Sequence, residues 1–209
     1  MPGQSAPPSA REKLLDSVIE HFTEDGLADQ SLRRIAEAVG SSHRMLLYHF
    51  GSKDGLLLEV ARAVEARTQA TFAALGAHAD GETDALVRRM WAHVADPDLA
   101  DFERLFFALY GRALQGDESA LPLLQGDLEV WLEANVAVAA TRGVPAGIAR
   151  VHARLGLAVT RGLLLDLLAT GDRAGVDAAL EVFAGRYAGR WWEAAAPGAA
   201  GTGTSDHAS

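Results

Sequence analysis

The sequence predicts an all-α fold. Apolar residues recur at steps of three and four along most of the chain, the spacing that places them on one face of a helix. Glycines and prolines punctuate these segments and separate helices of ordinary length. We find no run of alternating β-branched residues beside an Asn-Gly or Asp-Gly turn that would make a convincing hairpin. The 209 residues are therefore expected to form a helical protein with a sizeable core.

The amino-terminal part predicts a small head of three helices, residues 11–57. Its first helix carries one apolar stripe and ends at Gly26. A second helix of about two turns begins after Ser31, which can cap it, and ends at Gly40. A third covers Ser42 to Phe50. The stripe of the first helix consists of Leu15, Val18, Ile19 and Phe22.

A long helix from Ser52 to about Leu75 connects the head to a larger helical body, residues 76–193. Both ends of the chain, residues 1–10 and 194–209, are rich in Ala, Pro, Gly and Ser and are predicted to be disordered tails. The helices of the body are predicted near Thr83 to Val94, Asp98 to Gln115, Leu121 to Arg142, Pro145 to Thr170 and Arg173 to Trp192.

Composition excludes several classes of site. The chain has no cysteine, so it has neither a disulfide framework nor a thiolate zinc site. Its seven histidines are scattered without metal-ligand spacing, and no nucleophile-elbow, Walker A or dinucleotide-binding pattern occurs. We therefore expect no metal, no cofactor and no enzymatic activity. Because no apolar leader or membrane span is recognisable, we expect a cytoplasmic protein.

The segment from Gln30 to Lys53 has the layout of a helix-turn-helix, two short helices joined by a three-residue turn containing glycine. With Leu46 facing inward, Arg44 and Tyr48 face outward, so the third helix is shaped to enter a major groove. Arg44 suits a guanine edge, and Tyr48 a phosphate or a thymine methyl group. The predicted DNA-binding residues are Ser31, Arg33, Ser41, Ser42, His43, Arg44, Met45, Leu47, Tyr48, His49 and Lys53.

The net charge of −9 argues at first against a nucleic-acid partner. The charge is unevenly distributed, however. Residues 30–53 contain four basic residues and one acidic residue, a net charge of +3, whereas residues 54–209 carry −8. This pattern predicts that the head alone faces a duplex, because the acidic remainder repels DNA.

The run from Arg11 to Leu57 resembles the DNA-binding head of the TetR family of bacterial transcriptional regulators. The resemblance implies an all-α homodimer that binds a palindromic operator, with a carboxy-terminal body that binds a small ligand and dimerises through its last two long helices. Leu47 and Arg44 depart from the family pattern, which indicates an operator preference of its own. The matching residues are Phe22, Gly26, Ser31, Ile35, Ala36, Gly40, Leu46, Tyr48, His49, Phe50, Lys53 and Leu56.

Aromatic and polar residues of the body are candidates for a ligand site, since such sites combine aromatic walls with a few polar groups. Aromatic residues at helical spacing are also common in ordinary cores, and that alternative stays open. The candidate ligand-binding residues are Trp91, Phe102, Arg104, Phe106, Phe107, Tyr110, Trp131, Asn135 and His152.

The last two helices carry broad apolar faces, which fit a dimer interface or burial within one protomer. The resemblance favours the interface. Its candidate residues are Leu155, Val159, Leu163, Leu167, Leu180, Phe183 and Tyr187.

The expected protein is a homodimeric, ligand-responsive transcriptional regulator, a repressor whose partners are an operator duplex, a second copy and a small molecule. Two alternatives remain at this point. One is a regulator controlled by a protein partner instead of a small molecule. The other is an all-α enzyme or interaction module that retains the head.

Overall fold

The prediction of an all-α chain is confirmed. The computed structural model describes residues 7–27, 30–77, 83–140 and 143–188, and every regular element in those ranges is helical. No helix there is both long and apolar enough to cross a membrane. The helices are α1 (Ala10–Asp25), α2 (Leu32–Ala38), α3 (His43–Phe50), α4 (Lys53–Ala77), α5 (Thr83–Val94), α6 (Ala100–Leu114), α7 (Leu121–Ala140), α8 (Ala146–Thr170) and α9 (Arg173–Phe183).

Local signals explain where α1 begins and ends. The helix starts inside the segment predicted as a tail, because Ser9 and Glu12 form a capping box that satisfies amides of the first turn. It ends at Gly26, whose φ of +78° is unfavourable for a residue with a side chain. The predicted tails otherwise lie largely outside the described residues, since these begin at residue 7 and end at residue 188.

The described residues divide into two compact units. The first contains those up to Arg67 together with residues 96–124, and the second contains residues 68–95 and those from 125 onwards. The sequence assigned α6 to the body of residues 76–193, but α6 belongs to the same unit as the head. The physical reason is packing: Phe102, Leu105 and Phe106 of α6 lie in one hydrophobic core with the head helices.

Apolar burial stabilises the first unit. From α1, Val18 and Phe22 are almost fully enclosed, as are Ile35 of α2 and Leu46 of α3. Full burial of one such side chain contributes about 1.5–3 kcal/mol. The two short helices depend on this core, because helices of two turns are marginal by themselves in water.

Aromatic side chains organise the second unit. Phe72 and Trp131 pack edge to face, with their ring centroids 5.2 Å apart. The indole N–H of Trp91 donates to the Asp177 carboxylate at 2.7 Å, which joins α5 to α9. The last predicted helix continues past α9 as a π-helical turn, Ala184–Ala188, and its predicted end at Trp192 lies outside the described residues.

Candidate nucleic-acid interface

The third helix of the head has one buried and one exposed face. Leu46 and Phe50 lie in the core, whereas Arg44 and Tyr48 are exposed, Tyr48 to 79%. Because a helix turns by about 100° per residue, the buried pair and the exposed pair lie on opposite faces of α3. The orientation that the sequence predicts for Arg44 and Tyr48 is therefore the one observed.

Apolar side chains extend the exposed face of α3. Met45 and Leu47 are 42% and 39% exposed, and His43 beside them is also exposed. His49 is half-buried, and its ring packs edge-on against Tyr48 at 5.0 Å. The face thus combines hydrogen-bond donors with apolar carbon, which matches the acceptors and thymine methyl groups at base edges in a major groove.

Serine side chains cap the starts of the helices α2, α3 and α4. Ser31, Ser42 and Ser52 each accept a hydrogen bond from the backbone N–H three residues later. A hydroxyl that accepts in this way can still donate its own hydrogen. Helix N-termini favour anions through their amides and dipole, so these capped starts suit backbone phosphates.

Two cations and one further serine complete the predicted set. Arg33 forms an exposed ion pair with Glu37 at 3.2 Å, an interaction worth at most about 1 kcal/mol that a phosphate can replace. Lys53 is half-buried at the first residue of α4. Ser41 lies half-buried in the turn, where its backbone N–H donates to Ala36.

Gly55 is a positioning residue that the sequence analysis missed. A Cβ at this position would lie 2.2 Å from the carbonyl oxygen of Phe50, which is the last residue of α3. Only glycine therefore allows α4 to begin this close to the end of α3. The available signal was a glycine in the first turn of a predicted helix, where a glycine is otherwise unfavourable.

The structure divides the predicted ligand-binding residues between the two units. Phe102 and Phe106 are buried in the first core, Phe107 and Tyr110 are half-buried against it, and Arg104 pairs with Asp101. The remaining four, Trp91, Trp131, Asn135 and His152, belong to the second unit. The structure gives the aromatic residues of α6 a packing role, and ligand binding stays a prediction.

All four ligand candidates in the second unit have defined surroundings, and those of Trp131 include its packing against Phe72. Trp91 is hydrogen-bonded to Asp177, and the amide of Asn135 donates to the backbone oxygen of Trp131. His152 is half-buried, and this burial lowers the pKa of its imidazole.

The predicted interface residues differ in exposure. Leu155 is exposed, Val159, Leu163, Leu167 and Phe183 are half-buried, and Leu180 is buried at 2% exposure. The side chain of Tyr187 lies outside the described residues. Leu180 and Val176 are the buried residues of α9, so Leu180 packs inside its own unit.

A set of residues that shares only Leu155 with the predicted interface forms a continuous exposed stripe on α8. Its members are small or apolar, and they follow one another at alternating steps of three and four residues. They are Ile148, Val151, Leu155, Ala158, Gly162, Leu165 and Ala169, and all seven are exposed.

The head has the layout of the helix-turn-helix class, since a glycine-containing turn joins the two short helices α2 and α3. Residues 14–60 match the family model of bacterial regulatory proteins of the tetR family. The head of the chain is therefore similar to the DNA-binding head of the TetR family of bacterial regulators, as the resemblance predicted.

Curated relatives align mainly over the head. The chain is 31% identical over 96 residues to the HTH-type transcriptional repressor AcnR of Corynebacterium efficiens, which covers 46% of each chain. It is 36% identical over 64 residues to the HTH-type transcriptional regulator BetI 1 of Chromohalobacter salexigens, covering 31% of this chain and 32% of the relative. The chain thus spans less than half the length of these relatives.

Solved structures extend the similarity to most of the fold. A transcriptional regulator from Rhodococcus sp. RHA1 superposes with a TM-score of 0.66 at 21% identity, covering 85% of this chain and 95% of the other. A TetR transcriptional regulator from Legionella pneumophila superposes with a TM-score of 0.62 at 16% identity, covering 87% of this chain and 98% of the other. At these identities the structures show a shared fold.

Proposed function

We propose that the protein is a homodimeric transcriptional repressor that binds a two-fold symmetric operator and is released by a small molecule. The observation that carries this proposal is the exposed face of α3, where Arg44 and Tyr48 project opposite the buried Leu46 and Phe50. The repressor assignment draws on the name of AcnR, the relative described above.

Arg44 and its neighbours read the operator sequence in this proposal. The guanidinium of Arg44 donates two hydrogen bonds to the O6 and N7 of a guanine, the commonest specific contact in a major groove. Met45 and Leu47 offer apolar carbon to thymine methyl groups. Tyr48, which is 79% exposed, donates its phenol hydrogen to a phosphate.

Contacts to the DNA backbone surround this reading surface. Ser31 and Ser42 present capped helix starts to phosphates, and Arg33 and Lys53 add positive charge beside them. The acidic remainder of the chain opposes any other orientation on the duplex. Binding is therefore expected to weaken steeply as salt rises.

The exposed stripe of α8 supports dimerisation. Its mean spacing of 3.5 residues is the repeat with which two helices pack along their whole length. A second copy presents the same stripe, so a two-fold interface is self-complementary. Because α9 packs beside α8 and exposes Ala178 and Val182, it can extend that interface. Leu155 belongs both to the predicted interface residues and to the exposed stripe of α8.

Ligand-controlled release requires a difference in affinity. A small molecule dissociates the complex only if it binds the form that does not fit the operator more tightly than the form that does. Helix α4 is the candidate connection, since residues 53–67 belong to the first unit and residues 68–77 to the second. Equal ligand affinity for free and operator-bound protein would contradict this part of the proposal.

Selection of binding sites from random duplexes tests the proposal. We expect a palindromic sequence with a guanine in each half-site. The Arg44→Ala variant should lose about 1–3 kcal/mol of discrimination at that guanine. Arg89→Ala, an exposed arginine of α5, is the matched control and should bind as the unaltered protein does. Salt-insensitive binding without sequence preference would refute a role as a DNA reader.

A further inference from the structure

Arg11 in the first turn of α1 contacts both α3 and α4. Its guanidinium forms a hydrogen-bonded ion pair with Glu59 of α4. Its Nε lies 3.5 Å from the carbonyl oxygen of His49, and its Cζ lies 5.2 Å from the centre of the Phe50 ring. One side chain therefore joins α1, α4 and the last turn of α3.

The end of α3 is a favourable place for a cation. The last carbonyl groups of a helix lack intrahelical partners and form the negative end of its dipole. Arg11 brings positive charge to that end and also lies over the Phe50 ring, which anchors α3 in the core. Its contacts thus act on the position of the whole two-turn helix.

Glu59 holds Arg11 in place. Its carboxylate accepts hydrogen bonds from Arg11 and from Arg62, the latter at 2.8 Å, and its side chain is only 24% exposed. Partial burial by itself raises the pKa of Glu59, but the hydrogen bonds from the two arginines outweigh it, so the pKa lies below its ordinary value. The carboxylate is therefore charged at neutral pH.

We propose that Arg11 and Glu59 are a positioning pair that fixes the end of α3 and thereby aligns Arg44 and Tyr48 with the bases. The inference rests on the proposed DNA-binding function. Helix α3 has eight residues, of which two are buried. Since so short a helix has little stability alone, its tilt depends on contacts such as these.

A direct contact between Arg11 and a phosphate is the competing explanation, and Glu59→Gln separates the two. This substitution removes a negative charge while leaving Arg11 in the chain. If Arg11 binds a phosphate directly, removal of the Glu59 charge leaves operator binding unchanged or makes it tighter. If the pair positions α3, the same substitution weakens operator binding.

A second ion pair between the same helices provides the control. The Oδ1 of Asp16 on α1 and the Nη2 of Arg67 on α4 lie 2.6 Å apart, and both side chains are exposed. Arg67 follows Glu59 by eight residues, which is about 12 Å further along α4. Asp16→Asn therefore removes a comparable α1–α4 ion pair at a distance from α3.

The experiment measures the affinity of the full chain for its selected operator and for an operator with the specified guanine replaced. We expect Glu59→Gln to weaken operator binding about five- to tenfold relative to Asp16→Asn, as loss of a charge-assisted contact allows. Discrimination against the altered operator should fall in parallel, while the dependence of binding on salt stays the same. If Glu59→Gln folds poorly, Arg11→Gln takes its place: operator binding should weaken with an unchanged salt slope, and Arg11→Lys, which keeps the charge, should weaken it less.

Equal affinity of the Glu59→Gln and Asp16→Asn variants would overturn the inference, and so would tighter binding by Glu59→Gln. A decrease of about one in the salt slope for Arg11→Gln would do the same, because it indicates a lost phosphate contact. Failure of the unaltered chain to select any sequence would refute the proposed function itself, a result distinct from equal binding by the variants.

Discussion

Two exposed helix faces of this chain differ in chemistry. Helix α3 exposes Arg44 and Tyr48 next to apolar carbon, whereas the stripe of α8 consists of small and apolar residues alone. Both faces have a buried opposite side, so exposure by itself does not distinguish their partners. The charge of each face does.

The difference indicates which partner each face fits. A duplex presents negative charge and hydrogen-bonding groups, which an uncharged stripe cannot satisfy. Association with a second protein chain is stabilised by burial of apolar surface, at about 25 cal/mol per Å². A face that carries Arg44 and Tyr48 offers less apolar surface than the α8 stripe does. The comparison supports the proposal that α3 binds DNA and that α8 binds a second copy, and three predictions examine it.

The largest effect is expected from a charge in the α8 stripe. Leu155→Glu places a carboxylate in the proposed interface, where a second copy would bury it without a partner. We expect sedimentation to report monomers and operator affinity to fall about 100-fold or more, because two linked heads bind far more tightly than one. Ala92→Glu adds the same charge to an exposed position of α5 and should leave both properties unchanged. A dimeric Leu155→Glu variant would exclude this stripe as the interface.

The next effect concerns the buried side of α3. Gly55→Ala forces a Cβ against the Phe50 carbonyl, and we expect the free energy of unfolding to fall by about 1–3 kcal/mol in urea titrations. Gly111→Ala is the control in the same unit, since its Cβ would meet nothing within 4 Å. That change should stabilise by up to about 1 kcal/mol, as alanine does within a helix. Equal changes in the free energy of unfolding for the two substitutions would contradict this, because they would show that α3 and α4 can move apart without loss of stability.

The smallest effect concerns the apolar part of the α3 face. Replacing thymine by deoxyuridine in the selected operator removes methyl groups, and we expect binding to weaken by about 1 kcal/mol at each contacted position. The penalty should disappear in the Met45→Ala, Leu47→Ala double variant. Persistence of the full penalty in that variant would assign methyl recognition to other residues.

Features with local causes could be predicted from the sequence. The cap Ser31, the end of α1 at Gly26 and the outward direction of Arg44 all depend on residues within one or two turns. Both the start and the end of α5 also agree with the prediction.

Features that depend on distant residues could not be predicted. Arg11 and Glu59 are 48 positions apart, and neither carries a signal of pairing. The periodicity of α6 indicates that Phe102 and Phe106 face a core, but it does not indicate which core. Likewise, Leu180 and Leu155 both fit an apolar face, and only the packing of α9 shows that the first is buried.

The stoichiometry of the operator complex tests the account most directly, because it requires both faces at once. We expect native mass spectrometry to find two chains on a duplex that contains two inverted half-sites, with centres about 34–36 Å apart or a multiple of that distance. A duplex with one half-site should bind far more weakly. One chain bound to a single half-site with full affinity would contradict the assignment of α3 to DNA and α8 to a second copy.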